Sequence, residues 1–460
     1  MALSANTVWE FRTGGSDTNG GGFVTGSGGT DYSQQNSKNT SGVNISVTDA
    51  VTNGTTTVTS ATANFTSALV GNIVYMTPVG LWRQVVSVTN STTIVVDLAL
   101  SANTGVTMNI GGALASPGIF SSTYLGPTAG NIGFIKYDPS PFLISLSSGG
   151  SGGVLSPNVN KTVLCGYDVT RTVGNNDANR PTLKVTANTT NQSTYITSLA
   201  QVYVYNLIIN KNGFGGSGFV LAAGAAINCT VIGAVSTYYG FQLTTTGMAI
   251  RCSAYSCVQA GFSLAALGTA AVACVSYSNA VGFTCATGGL LLDCIAYGNS
   301  SYGFQWTGSG VVYALNCIAY NNTSGGFFMA TAATITFLGC IAEANGGWGF
   351  YLTSAGLLLS CAAYGNSSGT YTGTSYAPNF VTVTAGSVFV APGSGNFALN
   401  STANQGALLR ASNYDLNTLL PGLTVGFLDI GAVQHQDSPA NISVECHNTL
   451  VRDGIGIAAY

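Results

Sequence analysis

Between residues 200 and 400 the sequence carries two carboxylates, Asp293 and Glu343, and two cations, Lys211 and Arg251. A glycosidase needs two acids about 5 to 9.5 Å apart, one as proton donor and one as nucleophile or base. A polysaccharide lyase needs an acidic calcium site and a basic residue beside it. The same stretch holds a row of tyrosines, Tyr255, Tyr277, Tyr297, Tyr320 and Tyr364, each three residues after a cysteine, and Glu343 stands where a further tyrosine would. The structural reading of that row is an aromatic stack that stiffens a corner. The functional reading is a platform for sugar rings, with Glu343 accepting hydrogen bonds from their hydroxyls.

Other groups are weaker. Gly149, Gly150, Ser151, Gly152 and Gly153 spell a G-x-S-x-G string, but a nucleophile elbow needs a strand before it and a helix after it, which a Gly-Ser run does not supply. His435, Asp437, Glu445, Cys446 and His447 are metal-ligand types without ligand spacing, so a solvated tail is the reading and no metal or cofactor is expected. Lys161, Asp168, Arg171, Asp177, Arg180 and Lys184 form the densest run of charge, read as ion pairs that pin long loops rather than as a site.

What positions these residues is a repeat. Cys229, Cys252, Cys274, Cys294, Cys317, Cys340 and Cys361 are 23, 22, 20, 23, 23 and 21 residues apart. Gly-Phe pairs ending at Phe219, Phe241, Phe262, Phe283, Phe304, Phe327 and Phe350 run out of phase with them, and Asn279, Asn299, Asn322, Asn345 and Asn366 each follow a cysteine by five. A period near 22 with short strand patterns and a Gly or Asn at each corner predicts a parallel β-solenoid, one coil per repeat. Alternation places the aliphatic two before each cysteine (Ile227, Ile250, Val272, Leu292, Leu315, Leu338, Leu359), the cysteine, and the small residue two after it on the inner face. Stacked strands about 4.8 Å apart then put Asp293 and Glu343 roughly 16 Å apart, too far to share one glycosidic bond. In-register parallel neighbours point the same way, so the cysteines are expected as buried free thiols.

The coils Cys294-Ile295-Ala296-Tyr297-Gly298-Asn299 through Phe304, and Cys317-Ile318-Ala319-Tyr320-Asn321-Asn322 through Phe327, resemble the repeat of the right-handed parallel β-helix proteins, the pectate-lyase-like superfamily. Trp9 to Gly22 resembles the first strand and turn of such helices, Gly130 to Tyr137 the strand of their first full coil, and Leu428 to Val433 a closing strand. The resemblance implies an all-β, right-handed parallel β-helix. It does not fix the chemistry, because the superfamily includes lyases, hydrolases, adhesins and phage tailspikes.

The expected organisation is an N-terminal cap and first strand over 1–40, a small inserted antiparallel β-module over 41–110, about twelve coils over 111–395, and a C-terminal cap or tail over 396–460 that folds over the last coil. Twelve Lys and Arg in 460 residues cannot build a phosphate-tracking stripe, which excludes nucleic acid as a partner. No apolar run approaches 18 residues and the first residues lack a signal pattern, so neither membrane insertion nor secretion is expected. The expected function is a non-enzymatic structural or adhesive phage virion protein of tailspike, head-fibre or capsid-decoration type, assembled in the host cytoplasm. Its expected partners are copies of itself (a trimer by analogy with tailspikes), other virion proteins, and a surface glycan. The alternative is a polysaccharide-degrading enzyme whose acids come from the caps or a subunit interface.

Overall fold

The computed structural model describes residues 4–26, 45–121, 128–146, 161–175, 177–188, 196–330, 334–353, 356–373, 375–378, 380–383 and 386–399. The Gly-Ser run at 149–153, the segment Leu428 to Val433, the group His435 to His447, and the cap beyond 399 lie outside them.

The chain winds as a parallel β-solenoid with three faces. In one coil, Tyr302–Trp306 lies on a Phe face, Val311–Leu315 on an aliphatic face and Ile318–Tyr320 on a Tyr face. The next coil repeats them as Gly325–Met329, Thr334–Leu338 and Ile341–Glu343. Pairing is in register, Phe304 with Phe327, Leu315 with Leu338 and Tyr320 with Glu343, so each ladder seen in the sequence becomes a column of touching side chains. The Tyr face is a sheet of 11 strands, one fewer coil than the twelve expected. About eight turns of about 23 residues form the regular part.

Three interior columns hold the regular coils together. Phe rings from Phe219 to Phe350 stack 4.7 to 4.9 Å apart and are fully buried. The side-chain carbonyl of Asn322 accepts the backbone N–H of Asn299 at 3.1 Å and its side-chain amide at 2.9 Å, while Asn322 donates to the Ala296 carbonyl at 3.1 Å. Repeated coil by coil, this satisfies corner amides that would otherwise be buried without partners. The cysteines are buried free thiols, as expected, and several donate to a carbonyl of the preceding coil, Cys294 to Ala271 at 3.3 Å for example.

The glycine before each Phe is needed for this closeness. A Cβ on Gly303 would lie 2.8 Å from the Asn322 side-chain nitrogen and 2.9 Å from the Gly326 carbonyl oxygen.

The aliphatic ladder points the other way from expectation. Leu291, Ala314 and Leu358 are buried, while Leu292, Leu315 and Leu359, the residues two before cysteine, are half-exposed on the outer side. The reason is the residue between: Asn228, Arg251, Asp293, Asn316 and Ser360 adopt φ of 47° to 54°, a left-handed bend that resets the alternation before the chain reaches cysteine. A second left-handed residue follows each tyrosine position, Ser256, Ser278 and Asn321 among them. The Tyr face is therefore three residues long, clamped between two bends.

Thr7–Phe11 pairs in parallel with Ile132–Lys136, which pairs with Thr162–Tyr167. Between the first two, the chain leaves the solenoid to form a six-stranded closed antiparallel barrel over residues 45–110, with its own core of Val47, Val74, Met76, Ile94, Val106 and Met108.

Candidate functional site

The Tyr face is the flank to which the sequence assigned a ligand. Tyr255 and Tyr277 stack with centroids 4.8 Å apart and planes 16° from parallel; Tyr277 and Tyr297 are 5.0 Å and 10°. In-register pairing forces this, because like rings on adjacent strands sit one strand spacing apart. Their faces are spent on each other. A ligand reaches phenol edges and hydroxyls, not ring faces, so sugar rings cannot lie flat on this row as the platform reading required. Burial in the pile and the neighbouring phenols push Tyr277 up to about 12.

From Tyr297 onward the flank is covered by the chain itself. After Val381–Thr382 the backbone turns back along the flank: Val388 lies at Glu343, Phe389 is 6.3 Å from Tyr320, and Phe397 is 5.7 Å from Tyr320 and 5.2 Å from Tyr297. Tyr364 packs in the same apolar cluster with Val383 and Val388. This strap, within residues 386–399, runs beside the coils. Glu343 is therefore not an open acceptor. It is 2% exposed, its Oε2 accepts the Val388 N–H at 3.1 Å, and burial pushes it up to about 7.

The uncovered part of the flank borders a groove of about 450 Å³, lined by Ser256, Ser278, Asn279, Gly298, Ser300 and Thr323 among others. The residue after each tyrosine turns left-handed and starts the corner, which is why small hydroxyl residues and glycine collect there. No carboxylate lines the groove. Asp293 and Glu343 are not brought together: Asp293 sits at a corner, where the Asn316 amide donates to it at 3.3 Å and burial pushes it up to about 6, and Glu343 is two coils further on a different face.

A group the sequence reading missed sits on the first coils. Glu10, fully buried, accepts from Arg12 Nε at 2.9 Å, from Arg171 at 3.2 Å, and from the Tyr167 hydroxyl. Lys136 pairs with Asp168 at 2.8 Å, and Asp177 accepts the backbone N–H groups of Asp168, Val169 and Thr170. Arg180 donates to the Asn228 carbonyl at 2.7 Å. The charged run thus pins the loop after Tyr167, but its central acid lies about 160 residues away in sequence. Burial raises Glu10, while Tyr167 and the two arginines pull it down. The only signal available was one acid within the apolar strand Thr-Val-Trp-Glu-Phe. Among the described residues no three His, Cys, Asp or Glu side chains group as a metal site. Burial pushes the Cys229, Cys252, Cys274, Cys317 and Cys361 thiols far above the ordinary range, so these five are not nucleophiles, whereas, despite their burial, hydrogen bonds with the ladder thiols on either side hold Cys294 and Cys340 below it.

A search of the curated proteins finds no match. Among solved structures, the A-module of a mannuronan C-5 epimerase from Azotobacter vinelandii is similar at 11% identity and a TM-score of 0.35, over 55% of this chain and 91% of that one. The ORF18 protein of Geobacillus virus E2 is similar at 11% and 0.34, over 57% of this chain and 55% of that one. The catalytic unit of an alpha-1,3-glucanase from Streptomyces thermodiastaticus is similar at 10% and 0.31, over 75% and 88%. Residues 252–405 match the family model described as the right handed beta helix region, and the strands of the chain pair as a parallel β-solenoid.

Proposed function

We propose that this chain is a non-enzymatic structural and adhesive rod of a phage virion, of tailspike, head-fibre or capsid-decoration type, and that it holds a neutral surface glycan in the groove beside Tyr255 and Tyr277. The observation that carries the binding is the groove itself: hydroxyls of Ser256, Ser278, Ser300 and Thr323 beside the apolar Val258 and Ala280, and no charged lining residue. Sugar hydroxyls are both donors and acceptors, and such a lining offers both. The virion assignment rests on the solenoid architecture together with an interior of inert thiols and amide ladders.

The test is binding of the assembled protein to a panel of neutral and acidic glycans, with reducing-end release measured on the same samples. The expected result is neutral-glycan binding without cleavage. Ser278→Trp, which fills the groove from an exposed corner, should weaken binding at least about 10-fold with an unchanged melting temperature. Cleavage of any bound glycan, or binding indifferent to Ser278→Trp, defeats this reading.

A further inference from the structure

We propose that the strap is a displaceable lid on the glycan flank, seated on Glu343, and that lifting it continues the open groove along Tyr297, Tyr320 and Glu343; this rests on the reading of the groove as a glycan site and names how that site is regulated.

The strap is separate from the ladders of the solenoid. Phe389–Ala391 and Asn396–Leu399 pair antiparallel with each other as a two-stranded sheet of their own. Side chains hold that sheet down: Val388, Phe389 and Phe397 cover Ile318 and Ile341, which alternate with the inward Ala319 and Ala342 and so point outward on the Tyr face. To these the Val388 N–H adds its bond to Glu343. The strap also closes one end of the groove. Gly298, Ser300 and Thr323 line it, and Tyr297, the residue before Gly298, lies against Phe397, as does Tyr320 on the next rung. The groove runs out where the strap begins, while the row of side chains goes on beneath it to Glu343 and Tyr364.

The seat is a carboxylate without a countercharge. Glu343 is bordered by the phenols of Tyr320 and Tyr364 on adjacent rungs and, from the strap, by the Ser387 hydroxyl and the Val388 N–H. Residues 380–400 contain no charged residue, and among the described residues no cation pairs with Glu343. An ionised carboxylate is costly in such a place, so ionisation favours the state in which water reaches it. Under the closed strap burial pushes Glu343 from 4.5 up to about 7. Between those values the closed form keeps a proton that the lifted form releases, so each pH unit raises the lifted fraction toward about 10-fold, with a plateau on either side of the window.

The test measures binding of neutral gluco- and manno-oligosaccharides of two to eight sugars at pH 5 and pH 8, and reads the hydrogen-exchange protection factor of the Val388 amide on the glycan-free protein. Affinity for a chain that reaches under the strap scales with the lifted fraction, so the longest oligosaccharides should bind at least about 10-fold tighter at pH 8, while the shortest bind equally at both. Glu343→Gln keeps an acceptor for Val388 without the charge and should remove the pH difference. Phe397→Ser loosens the seat without touching the interior columns and should tighten long-chain binding at pH 5. A Val388 protection factor equal at pH 5 and pH 8, or one that falls equally in Glu343→Gln, overturns the proposal. So does oligosaccharide binding whose dependence on chain length ignores pH. Absence of binding by every oligosaccharide would instead count against the proposed function, with the Val388 amide still deciding whether the strap lifts.

Discussion

The first coils and the regular coils solve one problem by opposite means. Between Phe219 and Phe350 most coils offer their neighbour the same residue, so a Phe meets a Phe and, from Asn279 on, an Asn meets an Asn, and the corner amides are satisfied by amide ladders rather than by charged side chains. Around Thr7–Phe11 the neighbouring strands differ in sequence, and the outward side is closed by a buried carboxylate shared between Arg12, Arg171 and Tyr167. Repetition makes hydrogen-bond partners automatic. Where it is missing, charge-assisted bonds between distant segments take over.

The largest effect should come from breaking a ladder in mid-stack. Phe304→Ala leaves a cavity between Phe283 and Phe327 and should cost about 4 kcal/mol in chemical denaturation. Glu10→Ala strands two arginines and should cost about 3 kcal/mol, with enhanced proteolysis confined to the loop after Tyr167. If Glu10→Ala were silent, the charged cluster would be ornament and the contrast would fail. Asn322→Ala removes the acceptor of two Asn299 donors and should cost about 2 to 3 kcal/mol, more than Asn366→Ala at the end of the described ladder.

A pH effect should localise to the strap. Burial raises Glu343 from 4.5 to about 7, so between those values the folded protein holds a proton the unfolded chain has released. Stability therefore falls as pH rises through that window, by on the order of 1 to 2 kcal/mol, and the protection factor of the Val388 amide, its exchange rate relative to that of an unfolded peptide at the same pH, should fall from pH 5 to pH 8. Glu343→Gln should flatten the dependence. A strap whose protection factor ignores pH in the wild type would mean the carboxylate is not seated there. The smallest effect is at the thiols: Cys294→Ser should cost about 1 kcal/mol, and thiol reagents should label few ladder cysteines until denaturant is added.

The Cys, Phe and Asn columns, the short strands of each coil and the free thiols were legible in the sequence, because each is a relation between a residue and its equivalent one period away. The break of the Asn column was legible as well: Cys257 takes the Asn position of its coil, and its N–H still donates to Asn279 at 2.7 Å. The direction of Leu292 and Leu315 was not. A bend at Asp293 or Asn316 shifts the phase by one residue, and period-two counting carries no mark of it unless left-handed backbone at polar residues is anticipated.

The sequence by itself thus determined the solenoid, its repeat length and its interior columns, since these are set by local period and side-chain type. Only the tertiary structure decided that the strap lies along Tyr297, Tyr320 and Glu343, that Glu10 is shared by Arg12 and Arg171, and that an apolar ladder faces outward. Those facts depend on which distant segments meet, and a meeting between residues 45 or 161 positions apart leaves no period to read.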